Sequence, residues 1–345
     1  MRYTRQEIFK EIGKRGQEKL RNSTIAIVGL GALGSNSAEL LARAGIGKLI
    51  LIDRDIIELS NLQRQSLFDE SDVGKAKAAQ AKEHLSKINS VVKIDFFIDD
   101  LNFENIEKIF NEKIDLILDC TDNLETRFLI NDFSIRGKIK DFLRPENSKN
   151  FLGKNKIPLI YSSAVGSKGY VFNVIPNKTP CLRCFLKEAT QLETCETVGV
   201  LNTITNLISS MQINEAIKIL LHKNNMEKNL LFFDIWKNEL LKIKVNRNNN
   251  CICCIKNNFE YLTGKKVSKI IKLCGDNIYQ IKIRTIDKKQ FYTLKNNLKK
   301  IGKVIDFSYC INFDNKITIF QDGRALIKAK DEREAKSLYS KFVGN

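Results

Sequence analysis

The sequence predicts an α/β protein followed by a smaller α+β domain, and three observations carry that expectation. Residues 23–64 hold one β-α-β unit with glycines at its first turn. Short apolar strands and helical stretches then alternate as far as residue 255. Beyond that the composition shifts: 256–345 carries 20 Lys and Arg against 9 Asp and Glu. The expected division is therefore 1–255 and 256–345.

The elements follow in order. Residues 1–22 are polar with apolar positions at Ile8, Ile12 and Leu20, the pattern of one or two amphipathic helices. Thr24–Val28 is a short β-branched apolar run, which argues a buried strand. Gly29, Gly31 and Gly34 follow in GxGxxG spacing, 35–44 has helical spacing, and Lys48–Ile52 is a second buried strand ending at Asp53. The first two glycines would let backbone turn and approach a phosphate, and the third would let the helix pack on the strand. Asp53 stands where an acid can bind ribose hydroxyls. A strand, a helix, a second strand and an acid in that order predict a Rossmann-like sheet with a nucleotide site. Residues 73–87 read as an Ala-rich helix, 92–98 as a strand, 103–110 as a helix and 114–118 as a buried strand. Asp119 to Asn123 lies at the carboxyl end of that strand, the edge where open α/β sheets bind ligands. Residues 137–156 form a basic, polar segment that looks like an exposed insertion. Strands are expected at 159–163 and 170–175, a long amphipathic helix at 203–221, and a hairpin across 230–245. In the C-terminal part, 267–283 suggests one or two strands and 288–301 a helix ended by Gly302. Strands at 303–313, 316–320 and 324–328 and a helix at 331–342 complete a β-α-β-β-α pattern.

Composition bounds the function. The chain has 345 residues and a formal net charge of +17. A basic surface suits nucleic acid or an acidic protein partner, but no nucleic-acid motif accompanies the charge, and a Lys- and Asn-rich habit accounts for it better. No apolar run reaches the ~18 residues that a membrane span needs. The first residues, MRYTRQEIFKEIG, are not a signal peptide, because charges interrupt them from the second position. Nine cysteines, several clustered as CxxC, point to metal and thiol chemistry in a reducing cytoplasm.

Two features decide what the nucleotide is for. Asn61, Arg64 and Gln65 stand just past the second strand. A planar Arg beside a phosphate suits phosphate chemistry better than hydride transfer. An NAD-dependent oxidoreductase is therefore the weaker alternative. Cys181, Cys184, Cys251 and Cys254 form two CxxC pairs, and each pair offers two sulfurs on one edge of a Zn²⁺ tetrahedron. Cys253 leaves the second pair ambiguous. A thioredoxin-type redox role is disfavoured, since neither pair opens a helix after a strand.

Taken together, RYTRQ at 2–6, the glycine loop, DRDIIELSNLQRQ at 53–65, VGKAKA at 73–78, DCTDN at 119–123, CLRC at 181–184 and CICC at 251–254 resemble the ThiF/MoeB/HesA adenylyltransferases. These belong to the superfamily of ubiquitin-activating enzymes. The resemblance covers roughly residues 1–255. It implies ATP-dependent adenylation of the C-terminal glycine of a ubiquitin-fold sulfur carrier ending in Gly-Gly, or else of a ubiquitin-like modifier or peptide. It implies ATP and Mg²⁺ at Gly29, Gly31, Gly34, Asp53, Asp55, Asn61, Arg64, Gln65, Lys77 and Asp122, and structural Zn²⁺ in a knob built by the four cysteines. Asp122 matches the family's essential aspartate, and Lys77 its phosphate-contacting lysine; as plain sequence, Asp122 would also serve as a helix N-cap. Arg5 matches an arginine that reaches into the partner subunit's site, which implies a homodimer. Cys195 matches the thiol of a mobile loop. The C-terminal extension resembles that of some bacterial and archaeal ThiF-like proteins and not a rhodanese domain. Sulfur would then come from a separate sulfurtransferase or cysteine desulfurase.

Overall fold

The computed structural model describes residues 2–137, 156–187, 198–266, 270–272, 277–282, 286–307 and 309–344. The insertion expected at 137–156 lies outside them except for its end residues, as does Cys195. The chain forms two compact units, one of residues 1–73 and 77–266, the other of 74–76 and 267–345. The segment 256–266 thus packs with the first unit, past the division expected at residue 255. Phe259, Tyr261 and Leu262 are buried in that unit's core, which is why the segment stays with it.

The first unit is built on one eight-stranded sheet, ordered β3-β2-β1-β4-β5-β6-β7-β8. Its strands are β1 (Thr24–Val28), β2 (Lys48–Ile52), β3 (Lys93–Phe97), β4 (Leu116–Asp119), β5 (Leu159–Val165), β6 (Lys168–Val174), β7 (Leu230–Asp234) and β8 (Glu239–Ile243). The pairs from β3 across to β5 are parallel; those from β5 to β8 are antiparallel. Two helices, α1 (Thr4–Ile8) and α2 (Gly13–Arg21), precede the sheet. The crossovers carry α3 (Ala32–Ala44), α4 (Lys77–Ile88), α5 (Ile106–Ile109) and α6 (Leu124–Arg136), and α7 (Asn202–Leu220) joins β6 to β7.

Strands β1, β2 and β4 read as unbroken apolar runs because both faces of the sheet are covered there. Along β1, Ile25 and Ile27 enter one core and Ala26 and Val28 the other; β2 divides in the same way, Leu49 and Leu51 against Ile50 and Ile52. Residue by residue, α6 is the most enclosed helix among the described residues: Thr126 to Arg136 are all buried, five of them apolar at 3% exposure or less and three of them, Asn131, Asp132 and Ser134, polar and fully inaccessible. The helix expected at 103–110 is shorter, spanning Ile106–Ile109. Asn102 is the cause. Its side chain accepts from the Glu104 N–H at 2.9 Å while its own N–H donates to Asn105 Oδ1 at 2.9 Å. Such local bonds compete with the first helical turn.

The second unit is a six-stranded antiparallel sheet, ordered β11-β12-β13-β14-β10-β9. Its strands are β9 (Ile270–Lys272), β10 (Ile278–Ile281), β11 (Val304–Asp306), β12 (Cys310–Phe313), β13 (Ile317–Phe320) and β14 (Ala325–Lys328), with helices α8 (Lys288–Leu298) and α9 (Glu332–Phe342). The order along the chain is therefore β-β-α-β-β-β-β-α, and 303–313 is a hairpin and not one strand, with Val304 opposite Phe313. Phe291, Leu298, Ala335 and Tyr339 from the helices share a core with Ile311, Ile319 and Ile327 from the strands.

Candidate functional site

Register places the nucleotide motif. Val28 pairs with Ile52 on one side and with Asp119 on the other, so Gly29, Asp53 and Cys120 all leave the sheet at the same carboxyl edge. Gly29 has φ +87°, and a Cβ there would stand 2.6 Å from the Cys120 carbonyl oxygen. A Cβ on Gly34 would stand 1.8 Å from the Gly29 carbonyl oxygen, so the helix can approach the turn only with glycine there. Gly31 differs. A Cβ would meet nothing nearer than Gln65 Nε2 at 3.9 Å, and the residue directly precedes the first turn of α3. Its space faces the free N–H groups of a helix N-terminus, a setting suited to phosphate.

Around this loop the structure gathers charge. The Leu30 and Asp55 N–H groups donate to the Asp53 carboxylate at 2.5 and 2.7 Å. Burial pushes the Asp53 carboxyl upward, against the pull of Lys77. Lys77 is buried with Nζ 3.5 Å from Asp55 Oδ2. Burial alone would lower it, but Asp55, Asp53, Asp122 and Glu58 outweigh that and hold its ammonium above the ordinary range. Lys77 therefore stays protonated. Asp122 is exposed at the mouth of the cluster and accepts no hydrogen bond among the described residues. The N-cap role open to it falls to Asn123, whose Oδ1 accepts from the Thr126 N–H at 2.8 Å, and α6 begins at Leu124. Asn61 and Gln65 are buried nearby, and Gln65 Oε1 has no hydrogen-bond partner among the described residues. Arg64 Nη1 donates to the Ser60 carbonyl at 2.9 Å and makes no ion pair with the cluster among the described residues. Arg5 is exposed on α1 and likewise stands outside the cluster within the chain.

Two cations at this edge escaped the sequence reading. Arg54 is nearly buried, with Nη1 2.9 Å from Asp100 Oδ1. Burial opposes its charge, yet Asp100, Asp55 and Asp122 raise it. Its position between Asp53 and Asp55 at a strand end was the available signal. Arg127 donates to the Tyr161 hydroxyl at 3.1 Å and to the Thr121 carbonyl, and its guanidinium lies 4.8 Å from the Tyr161 ring centroid. It pins the backbone beside Asp122 from one helical turn beyond the Asn123 cap.

The four cysteines come together against the core that contains α6. Sγ separations are 3.9 Å for Cys181–Cys184, 3.6 Å for Cys181–Cys251 and 3.5 Å for Cys184–Cys254. Four thiolates at ~2.3 Å from a tetrahedral zinc stand about 3.8 Å apart, so the set fits that ion. Cys253 is not in the set. It is fully buried, takes a hydrogen bond from Asn131 Nδ2 at 3.4 Å, and burial pushes its thiol up to about 11. Arg183, between the first two cysteines, pairs with Glu260 at 2.7 Å and lies 5.2 Å from the Tyr261 ring centroid. No helix among the described residues is long and apolar enough to cross a membrane.

Known proteins resemble this chain over much of its length. The chain is 37% identical over 354 aligned positions to the sulfur carrier protein ThiS adenylyltransferase of Bacillus subtilis (strain 168), covering 99% of each. It is 31% identical to the SAMP-activating enzyme E1 of Haloferax volcanii, over 73% of this chain and 88% of that one. Against the adenylyltransferase and sulfurtransferase MOCS3 of Xenopus laevis it is 34% identical over 74% of this chain, and spans about half of that relative (53%). Among solved structures, E. coli MccB with AMPCPP and MccA superposes with a TM-score of 0.60 at 23% identity, covering 74% of both chains, a likeness of fold. A model described as the ThiF family matches residues 3–253. On a match of that extent, and on similarity to one relative from end to end, the chain belongs to the ThiF family.

Proposed function

We propose that the chain adenylates the C-terminal glycine of a ubiquitin-fold sulfur carrier of the ThiS type, making an acyl adenylate and pyrophosphate. The observation that carries this is the gathering of Lys77, Asp53, Asp55 and Asp122 beside the glycine loop. The end-to-end similarity to a ThiS adenylyltransferase supports the choice of carrier. Membership of the family sets the oxidoreductase alternative aside.

The chemistry asks little of a general base. The carrier's carboxylate is already ionised at neutral pH. One of its oxygens bonds to the α-phosphorus as the bond to the α–β bridging oxygen breaks, and pyrophosphate leaves. The protein's work is placement and charge neutralisation. The α3 N-terminus and the space over Gly31 would receive phosphate, and Asp53 would take ribose hydroxyls. Lys77, kept protonated by its carboxylates, and Arg64 would neutralise phosphate oxygens, with Asn61 and Gln65 lining the nucleotide. Asp122, exposed and unbonded, fits a Mg²⁺ ligand, an ion that would supply positive charge to the phosphates. Arg5 would complete the site of a homodimer partner. The four cysteines would hold Zn²⁺ as a structural ion. Cys195 would act only after adenylation, when sulfur arrives from a separate sulfurtransferase or cysteine desulfurase.

The test is ATP–pyrophosphate exchange with purified carrier. Exchange should require a carrier that ends in Gly-Gly and vanish when the last glycine is deleted. Exchange supported equally by an unrelated short peptide would overturn the choice of substrate. For the dimer, mixing Arg5→Ala and Asp122→Ala chains should restore part of the exchange that each lacks alone. A fully active monomer in sedimentation would refute it.

A further inference from the structure

The two cysteine pairs lie 70 residues apart in the chain and meet through their sulfurs, Cys181 with Cys251 and Cys184 with Cys254. The Asn131 side chain bridges them directly. The Leu182 N–H, inside the first turn, donates to Asn131 Oδ1 at 2.8 Å. Asn131 Nδ2 donates to Cys253 Sγ, inside the second turn, at 3.4 Å. Asn131, Leu182 and Cys253 are all fully inaccessible. The amide orientation is fixed, because a flipped amide would set its NH₂ against the Leu182 N–H, donor against donor. Asn131 is itself held by a buried helix, capped at Asn123 and anchored by Ser134 Oγ on the Ile157 carbonyl at 2.6 Å.

We propose that Asn131 is a positioning residue for the four-cysteine metal site: its amide sets both CxxC turns at the separation a tetrahedral ion needs. The proposal rests on the zinc reading above. It also assigns Cys253 a part. Cys253 receives the amide's N–H and anchors the second turn, leaving Cys251 and Cys254 to face the ion. A thiol inside a ligand turn but outside the ligand set then has a use. Outer partners of metal ligands act in this way, and their loss costs roughly 10–100-fold in metal affinity.

The experiment uses the full chain and competes bound zinc against a chromogenic chelator. Wild-type protein is measured first: one zinc per chain with four thiols protected from alkylation upholds the zinc reading, and no zinc ends that reading whatever Asn131 does. Asn131→Leu removes both hydrogen bonds while keeping bulk, and should raise the zinc Kd roughly 10–100-fold. Asn131→Asp keeps the acceptor alone, and Cys253→Ala removes the N–H acceptor alone; each should lose less. The Asn131→Leu/Cys253→Ala double variant should lose no more than Asn131→Leu, since both act through one bridge. Exchange activity should return to within twofold of wild type at saturating zinc, a rescue that a general packing defect would not give. A zinc Kd within twofold of wild type in folded Asn131→Leu overturns the proposal, as do losses that simply multiply in the double variant. If Asn131→Leu does not fold, Cys253→Ala decides: an unchanged zinc Kd there overturns it equally.

Discussion

The nucleotide edge and the cysteine cluster lie on one sheet and are assembled in opposite ways. At the nucleotide edge, backbone does the placing. Three parallel strands end in register, glycines permit the close turn, and the side chains that follow need only a few residues of chain to reach the site. At the cysteine cluster, segments 70 residues apart converge, and buried polar side chains of α6 hold them. The first arrangement leaves groups open to a ligand, such as exposed Asp122 and the space over Gly31. The second encloses its groups more: Cys181 and Cys251 are at most 1% exposed, and Cys184 and Cys254 are half-buried. A site that must admit and release a substrate is built from strand ends; a site suited to holding a structural ion is built closer to the core.

The largest effect should separate the two. Asp122→Ala removes a carboxylate that accepts no hydrogen bond among the described residues, so folding and zinc content should be unchanged. Exchange should fall roughly 100- to 1,000-fold, the scale seen when one charge-stabilising group leaves a reaction centre. Wild-type exchange in this variant would break the comparison at its first term. Cys181→Ser should do the reverse. Loss of zinc from a closed site removes folding energy, and a fall in Tm of about 10 °C corresponds to losing about 3–4 kcal/mol in a domain of this size. Zinc content by metal analysis and Tm by calorimetry read both, and full zinc retention in Cys181→Ser would remove it from the ligand set.

The difference also explains what could be read from sequence. Strands β1, β2 and β4 were legible because two-sided burial leaves an unbroken apolar run bounded by polar residues. The glycine loop was legible because its reach is short. Arg127 and Asn131 were not, since a helix buried all round shows no apolar stripe, and a polar residue inside it looks like a surface position. The hairpin at 303–313 reads as one strand because no Gly or Pro interrupts it, and turn signals are what divide strands. The end of the first unit was misplaced for a related reason. Phe259, Tyr261 and Leu262 are too few to announce a core segment, yet they complete one.

A finer test lies within the glycine loop. Gly34→Ala sets a Cβ 1.8 Å from the Gly29 carbonyl oxygen, so the helix must withdraw and both Tm and nucleotide binding should suffer. Gly31→Ala meets only Gln65 Nε2, at an ordinary contact distance of 3.9 Å. Its Tm should stay within about 2 °C of wild type, less than 1 kcal/mol, while the KM for ATP rises about tenfold, or 1.4 kcal/mol. If Gly31→Ala binds ATP as well as wild type does, phosphate does not approach over Gly31.

The smallest expected effect is on Cys195. It lies outside the described residues, so the prediction rests on chemistry alone. In adenylation the nucleophile is a carboxylate oxygen and the electrophile is phosphorus; no proton needs removing and no thiol takes part. A thiolate becomes useful only afterwards, when the acyl carbon of the adenylate is the electrophile and AMP the leaving group. Cys195→Ser should therefore keep exchange within about twofold of wild type, well under the 1.4 kcal/mol of a tenfold change. Thiocarboxylate formation, assayed with a sulfur donor and carrier, is where any loss should show. If Cys195→Ser abolishes exchange in folded, zinc-loaded protein as fully as Asp122→Ala does, the thiol belongs to the first step, and adenylation here is not the work of the nucleotide edge alone.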